Sequence, residues 1–288
     1  MQQIKLLFAY LAKTIKYLTQ NFKGILLAIF IIYLIMPSGK PLSPANVAQI
    51  NLTGAIVDSQ KIVEDIDDMA KDKAIKGVLF VVNSPGGSVA PSIEISYAIK
   101  RLALTKPVIT YAQGSLASGS YYAAIWSHKI YANPGSLIGS IGVIFRGYNL
   151  EKIMKNLGIS AQIVKAGQYK EAGTSNRQWT AKEHQELETV IKDTYELFIR
   201  DVAQARDLDV AKHHIYADAH IFSALRAKKV GLIDEVTSIH EAKLALQSLT
   251  KLETLIWKKP SVTERFLEKL SSQMVSTIDS YFLQPGLQ

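Results

Sequence analysis

The sequence predicts an α/β protein in which helices cover a largely parallel sheet. Residues 77–82 form a continuous apolar run of strand length, which is typical of a strand buried on both faces. A second strand pattern covers 107–112, and a helical pattern over 91–104 separates the two. The alternation begins earlier, with a strand over 47–52 and a helix over 58–72. Strands that alternate with helices favour crossover connections between parallel neighbours.

The second half continues this pattern and adds a helical tail. A long helix is predicted over 180–206, because Thr180 and Glu183 stand at capping-box spacing at its start. Residues 231–236 have the composition of a short strand, and the chain is predicted to be helical from about residue 239. The tail carries an apolar stripe, which is typical of a core or partner-helix seam. A membrane-surface helix is the alternative.

An apolar segment near the N-terminus predicts a membrane anchor. Residues 24–36 carry no charge, and Pro37 follows them. At about 1.5 Å per residue this run is shorter than a ~30 Å hydrocarbon core, so flanking residues must extend it. Four lysines precede the run and only Lys40 follows it directly, so the positive-inside bias places the N-terminus in the cytoplasm. A cleaved signal peptide and a buried helix are the alternatives.

Composition excludes several classes of site. The chain has no cysteine, so a disulfide, a zinc-thiolate site and a cysteine nucleophile are impossible. The net charge of +8 is dispersed, which is typical of a solvated basic surface, so we expect no nucleic-acid partner. We also expect no metal and no cofactor.

The predicted organisation is a cytoplasmic segment over 1–21, a transmembrane anchor over 22–38, a main domain over 45–240 and a helical extension over 241–288.

Two glycine-rich segments follow predicted strands. Residues 83–89 include a Pro-Gly-Gly turn, whose bare backbone amides could bind an anion or an oxyanion; an ordinary turn is the alternative. Residues 114–124 place Ser118 among small residues at the start of a helical stretch. Such a serine can be a nucleophile whose neighbouring amides are free. An N-cap serine in a tightly packed helix is the alternative.

A serine nucleophile needs a base, and none of the six histidines stands in a context that marks it as one. A lysine can serve if burial lowers its pKa toward the working pH. Lys170 lies in a glycine-flanked loop before the long predicted helix. A surface lysine that forms an ion pair with Glu171 is the alternative.

Taken together, these segments resemble the signal peptide peptidase A family, in its short membrane-anchored form. The resemblance runs from about residue 47 to about residue 236. It is carried in order by Leu52-Thr53-Gly54-Ala55-Ile56, Val82-Asn83-Ser84-Pro85-Gly86-Gly87, Ala117-Ser118-Gly119-Ser120-Tyr121-Tyr122, Gly139-Ser140-Ile141-Gly142-Val143 and Gly167-Gln168-Tyr169-Lys170-Glu171.

The resemblance implies a crotonase-like fold, shared with the Clp protease, and a Ser-Lys dyad. Ser118 matches the family nucleophile and Lys170 the family base. Gly87 and Gly119 match the residues whose amides form the oxyanion hole, and Ser140 matches a serine that orients the lysine. The family degrades remnant signal peptides at the bacterial inner membrane, on its extracytoplasmic side. It forms ring-like homo-oligomers, in which the lysine can come from a neighbouring subunit.

The sequence departs from the family pattern at two positions beside the nucleophile. Leu116 and Ser120 replace a small residue and a glycine. Both are close enough to the nucleophile to affect substrate preference, and neither change removes a catalytic group. Two other functions stay open. One is an enzyme of the same fold that acts on acyl-CoA thioesters and does not need Ser118. The other is a non-catalytic membrane scaffold.

Overall fold

The structure is a computed structural model that describes residues 13, 16, 17, 19–24, 26, 27 and 44–259. The chain divides into two compact units, Met1–Pro44 and Ala45–Gln288. Most of the predicted cytoplasmic segment, 1–21, and of the predicted anchor, 22–38, lies outside the described residues. Among the residues that are described, no helix has both the length and the apolar character needed to cross a membrane.

A seven-stranded sheet forms the centre of the second unit. The strands are β1 (Val47–Thr53), β2 (Gly77–Ser84), β3 (Val108–Ala117), β4 (Lys129–Ala132), β5 (Leu137–Gly139), β6 (Ile221–Ser223) and β7 (Glu235–Val236). Their order is β1-β2-β3-β4-β7, and β5 joins β3 to β6. All pairs are parallel except the antiparallel pair of β5 and β6. The predicted α/β class is thereby confirmed.

Helices cover both faces of this sheet. Helix α5 (Ala181–Arg206) starts at the predicted capping box, in which the Thr180 hydroxyl accepts from the Glu183 amide and the Glu183 carboxylate accepts from the Thr180 amide. The helices are α1 (Gln60–Lys71), α2 (Val89–Ala103), α3 (Gly119–Ala124), α4 (Glu151–Asn156), α5 (Ala181–Arg206), α6 (His213–Tyr216), α7 (Ala224–Lys229) and α8 (Ile239–Thr250), with a 3₁₀ turn at Val210–Lys212.

Strand β2 shows why its sequence is apolar at consecutive positions. Val78, Phe80 and Val82 face the larger core cluster, which lies under most of the helices. Leu79 and Val81 face a second cluster on the opposite side of the sheet. Both faces of a central parallel strand are buried, so each of these side chains contributes roughly 1.5–3 kcal/mol of hydrophobic stabilisation.

Helix α8 begins at the boundary predicted between 45–240 and 241–288. It packs Ala242 and Leu246 into the second core cluster, against β1, β2 and β3. The first ten residues of the predicted extension therefore belong to the same hydrophobic core as the sheet. Residues 260–288, which hold the predicted apolar stripe, lie outside the described residues.

The pairing of β2 with β3 changes register at the edge that carries the candidate site. Val82 pairs with Ala112, but the next pair is Ser84 with Leu116, so β3 has extra residues in between. The Asn83 side chain accepts a hydrogen bond of 3.0 Å from the amide of Ser115 in this interval. Strand β3 thus runs past the predicted end at residue 112 and delivers the following turn beside the end of β2.

Candidate active site

A cleft with an empty volume of about 340 Å³ lies beside the ends of β2 and β3. Ser118 and both glycines predicted for the oxyanion hole, Gly87 and Gly119, lie on its lining. Most of the other lining side chains are apolar, and they come from α2, α3, α5 and the segment after β5. They are Val89, Ile93, Tyr122, Val143, Leu197 and Phe198.

Ser118 occupies a strained turn between β3 and α3. Its backbone has φ +53° and ψ −126°, a conformation that residues other than glycine rarely adopt. The Ser118 amide donates to the carbonyl of Gly139 at 2.7 Å, and the Tyr122 amide donates to the Ser118 carbonyl at 3.0 Å. A sharp strand-to-helix turn of this kind presents a serine hydroxyl above the sheet edge. Ser118 is half-buried there and lines the cleft.

Two backbone amides beside Ser118 are available to a ligand. Gly119 is the first residue of α3, so its amide has no partner within the helix. Gly87 forms an isolated bridge with Ile56, in which Ile56 donates to Gly86 and Ser88 donates to Ile56. The amide of Gly87 takes no part in that bridge. A Cβ atom at Gly87 would lie 2.1 Å from the Ile56 carbonyl oxygen, so only glycine fits.

Ser140 lies one residue beyond the carbonyl that holds Ser118. It also has a positive φ, +49°, and its amide donates to the His220 carbonyl at 2.7 Å. Next to it, the Ala219 amide donates to the Ile141 carbonyl at 2.9 Å. The structure therefore brings Ser118, Gly87, Gly119 and Ser140 to one edge of the sheet. None of the six histidines, all of which are described, lines the cleft.

The floor of the cleft is formed by an aromatic pair. The rings of Tyr122 and Phe198 meet edge to face with centroids 4.6 Å apart. The Tyr122 hydroxyl donates a short hydrogen bond to the Asp201 carboxylate. Burial, and then this hydrogen bond, raise the pKa of Tyr122 well above its ordinary value. Tyr122 is therefore a neutral side chain whose polar end is satisfied, and it leaves an apolar surface for a ligand.

Lys170 lies at the surface. Its side chain is exposed, and it is absent from the residues that line the cleft of its own chain. Within the part of the chain that the structure describes, Lys170 forms no ion pair. The predicted alternative, a pair with Glu171, is also not formed, because Glu171 instead pairs with Lys165 and Arg177.

A charged network fixes the loop that carries Lys170. Arg177 donates to the Glu183 carboxylate at 2.7 and 2.9 Å and to Glu171 at 3.3 Å. Hydrogen bonds from Lys165 and then Arg177 lower the pKa of Glu171. The hydrogen bond from Arg177, followed by that from the Thr180 amide, lowers the pKa of Glu183 to about 2. The loop is thus tied to the start of α5.

This network predicts a specific loss of stability in acid. The lowered pKa of Glu183 means that its contribution is complete above its ordinary pKa of 4.5 and is lost as pH falls toward 2. We expect Glu183→Gln to unfold at lower urea concentration at pH 7 and to differ less from the parent at pH 3. Urea midpoints at the two pH values measure this. The control is Glu186→Gln, an exposed glutamate of the same helix; an equal pH dependence in both variants would contradict the assignment.

Sequence reasoning missed the contribution of α5 to the cleft. Its spacing predicted a helix, but Thr194, Leu197 and Phe198 were not assigned to the site. The two departures from the family pattern beside Ser118 lie in the core and not on the cleft. Leu116 and Ser120 are fully buried and do not line the cleft, so neither side chain meets a ligand there.

The chain is similar in sequence to a peptidase family and to several proteins named as proteases. Residues 100–253 match the profile described as Peptidase family S49. A putative protease of Methanocaldococcus jannaschii is 38% identical over 212 residues, which cover 74% of this chain and 67% of that protein. A putative protease of Synechocystis is 33% identical over 251 residues, covering 84% of this chain and 90% of that protein. A putative signal peptide peptidase SppA of Enterococcus faecium is 29% identical, covering 73% and 65% respectively.

Among solved structures, the chain is similar in fold to a mutant of the 1510-N membrane-bound stomatin-specific protease. The TM-score is 0.50 at 18% sequence identity, and the match covers 76% of this chain and 100% of the other. At that identity, the likeness concerns the fold alone.

Proposed function

This chain belongs to peptidase family S49, and on that basis we propose that it is a serine peptidase with a Ser118-Lys170 dyad. The resemblance drawn from its motifs is confirmed by the family match, and the family lies in the Clp protease and crotonase-like superfamily. One observation carries the proposal beyond the family. Ser118 stands in a strained turn with the free amides of Gly87 and Gly119 beside it on one cleft.

The proposed reaction is acyl transfer through Ser118. Neutral Lys170 removes the proton from the Ser118 hydroxyl as its oxygen attacks the peptide carbonyl. The amides of Gly87 and Gly119 bind the oxyanion, which carries the negative charge of the tetrahedral intermediate. The lysine then protonates the leaving amine, and a water that the same lysine activates releases the acyl group. Ser140 is proposed to orient the lysine.

We assign the lysine to a second copy of the chain. Support comes from the exposure of Lys170 and from its place outside the cleft of its own chain. The surrounding segment, 144–169, is unusually apolar for a free surface: Val164 is fully exposed, and Ile144 and Leu157 are 74% and 69% exposed. A lysine removed from water by such a contact is favoured in the neutral form that a base needs.

The cleft favours apolar peptides. Its walls are aliphatic and aromatic, and the only hydroxyls on its lining are those of Ser92, Ser118, Tyr122 and Thr194. The E. faecium relative is named for signal peptides, whose central segments are apolar. We therefore propose remnant signal peptides as substrates. Cleavage is proposed to take place on the extracytoplasmic side of a membrane, to which the apolar run 24–36 anchors the chain.

Covalent labelling tests this function. The full-length chain in membranes is treated with a fluorophosphonate probe, and mass spectrometry locates the adduct. We expect modification of Ser118 alone, and none after denaturation or in Ser118→Ala. An enzyme acting on acyl-CoA thioesters would not be labelled there, and a membrane scaffold would not be labelled at all.

A membrane-impermeant version of the probe tests the side of the membrane. Intact spheroplasts should be labelled as fully as lysed ones if the domain is extracytoplasmic. An adduct on the exposed Ser88 instead of Ser118 would contradict the assignment of the nucleophile. Labelling only after lysis would contradict the extracytoplasmic position of the domain.

A further inference from the structure

Ser120 is the buried polar group closest to the reacting serine along the chain, and the mechanism above leaves it unused. Its side chain has no exposed surface, so it cannot touch a substrate. Its hydroxyl oxygen accepts from the Ala117 amide at 2.9 Å. Its single proton can be donated to the Ser84 carbonyl, at 2.7 Å, or to the Ala117 carbonyl, at 2.9 Å. One side chain therefore connects the ends of two strands.

These contacts stand where the ladder between β2 and β3 is irregular. The register shift between Val82 and Ser84 makes the pairing of β3 with β2 irregular there, while the same residues of β3 pair regularly with β5 on the other side. The Ser120 hydroxyl bridges that end through Ala117 and Ser84. The network continues on the other strand, where the Ser84 hydroxyl, which is also buried, accepts from the Gly86 amide at 3.2 Å.

The two bridged segments carry the reacting groups. Ser118 follows Ala117 directly, and Gly87 lies three residues after Ser84. The turns also touch: a Cβ atom at Gly86 would lie 2.6 Å from the Gly119 amide nitrogen and 2.9 Å from the Ser118 Cβ. A shift between them would change the separation of the Gly87 and Gly119 amides.

We infer that Ser120 is a positioning residue that sets the spacing of the two oxyanion-binding amides around Ser118. This inference rests on the proposed peptidase function and adds a residue that acts through others. Loss of the hydroxyl leaves the Ala117 amide and the Ser84 carbonyl short of a partner in a buried place, and the turns must shift to compensate. Small misplacements of such groups reduce the rate of the chemical step more than they reduce substrate binding.

The test compares Ser120→Ala with Ser136→Ala in the full-length chain. Ser136 is a matched buried serine whose hydroxyl donates to the Ala112 carbonyl at 2.9 Å, away from the cleft lining. Kinetics with an apolar peptide are measured at a temperature where circular dichroism shows both variants folded. For Ser120→Ala we expect kcat to fall about 10- to 100-fold with KM within about twofold, and affinity for a peptide boronate to fall in parallel. Ser136→Ala should keep both constants within about twofold of the parent.

The outcomes separate the inference from the function it rests on. If the parent chain is neither active nor labelled at Ser118, the peptidase proposal fails. If the parent is active and Ser120→Ala matches Ser136→Ala in kcat and boronate affinity, the hydroxyl is merely structural and the inference is wrong. Should Ser120→Ala not fold, Ser120→Gly, which also removes the hydroxyl, carries the same comparison. An unchanged kcat in that variant would also overturn the inference.

Discussion

Replacing Ser118 by glycine is expected to abolish peptidase activity and to stabilise the fold. Activity should fall at least about 10³-fold, because no nucleophile remains. Stability should rise by about 1 kcal/mol, since glycine adopts the φ of +53° and ψ of −126° without the strain that serine bears. For a domain of this size the melting temperature should increase by about 2–4 °C. Peptide hydrolysis and thermal unfolding are the two measurements.

Two matched variants isolate the causes. Ser118→Ala removes the hydroxyl but keeps a Cβ atom, so it should be equally inactive without the gain in stability. Ser115→Gly places glycine at a nearby strand position with an ordinary backbone, and it should lower stability by about 0.5–1 kcal/mol. Hydrolysis by Ser118→Ala at the parent rate would eliminate Ser118 as nucleophile. A lower melting temperature for Ser118→Gly would refute the strain argument.

Replacing Lys170 by alanine is expected to reduce peptidase activity as severely as replacing Ser118. Unlike a missing serine within its own site, however, the missing lysine can be supplied by a second chain that carries an intact Lys170. The inactive Lys170→Ala chain keeps an intact cleft, and the inactive Ser118→Ala chain keeps an intact lysine. Random co-assembly of equal amounts should therefore restore about one quarter of parental activity, because each site draws its two groups from different chains. Activity of the separate and the mixed, co-refolded variants is the measurement.

The control for this mixing is Lys152→Ala, which changes an exposed lysine within the apolar segment 144–169 that precedes Lys170. It should retain parental activity alone. No recovery in the mixture would place the base in the same chain as the serine. Full activity of Lys170→Ala by itself would remove the lysine from the mechanism.

Much of the central fold was predictable because its signals are local. The apolar run of β2 requires burial on both faces, and Thr180 with Glu183 fixes the start of α5 through neighbouring backbone groups. The short strands β4, β5 and β6 were not predicted. Each has three or four residues, and its conformation depends on pairing with a distant part of the chain.

The candidate site also contains residues that the sequence could identify and residues that it could not. Ser118, Gly87 and Gly119 lie in turns directly after strands, so a motif in the sequence could identify them. The cleft wall could not be identified, because periodicity predicts that α5 is a helix but not which residues meet α3. The position of Lys170 was equally beyond the sequence. The sequence of one chain does not distinguish a lysine that acts on the serine of its own chain from one that acts on the serine of a second copy.

The exposed position of Lys170 has a consequence for the control of proteolysis. On the proposal that a second copy supplies Lys170, the peptidase lacks its base until that copy arrives and needs no propeptide to keep it inert after synthesis. On the same proposal, the onset of activity is governed by local concentration, which the proposed attachment to a membrane would raise. Dilution switches such an enzyme off without any chemical modification, so specific activity should depend on how densely the chains are held.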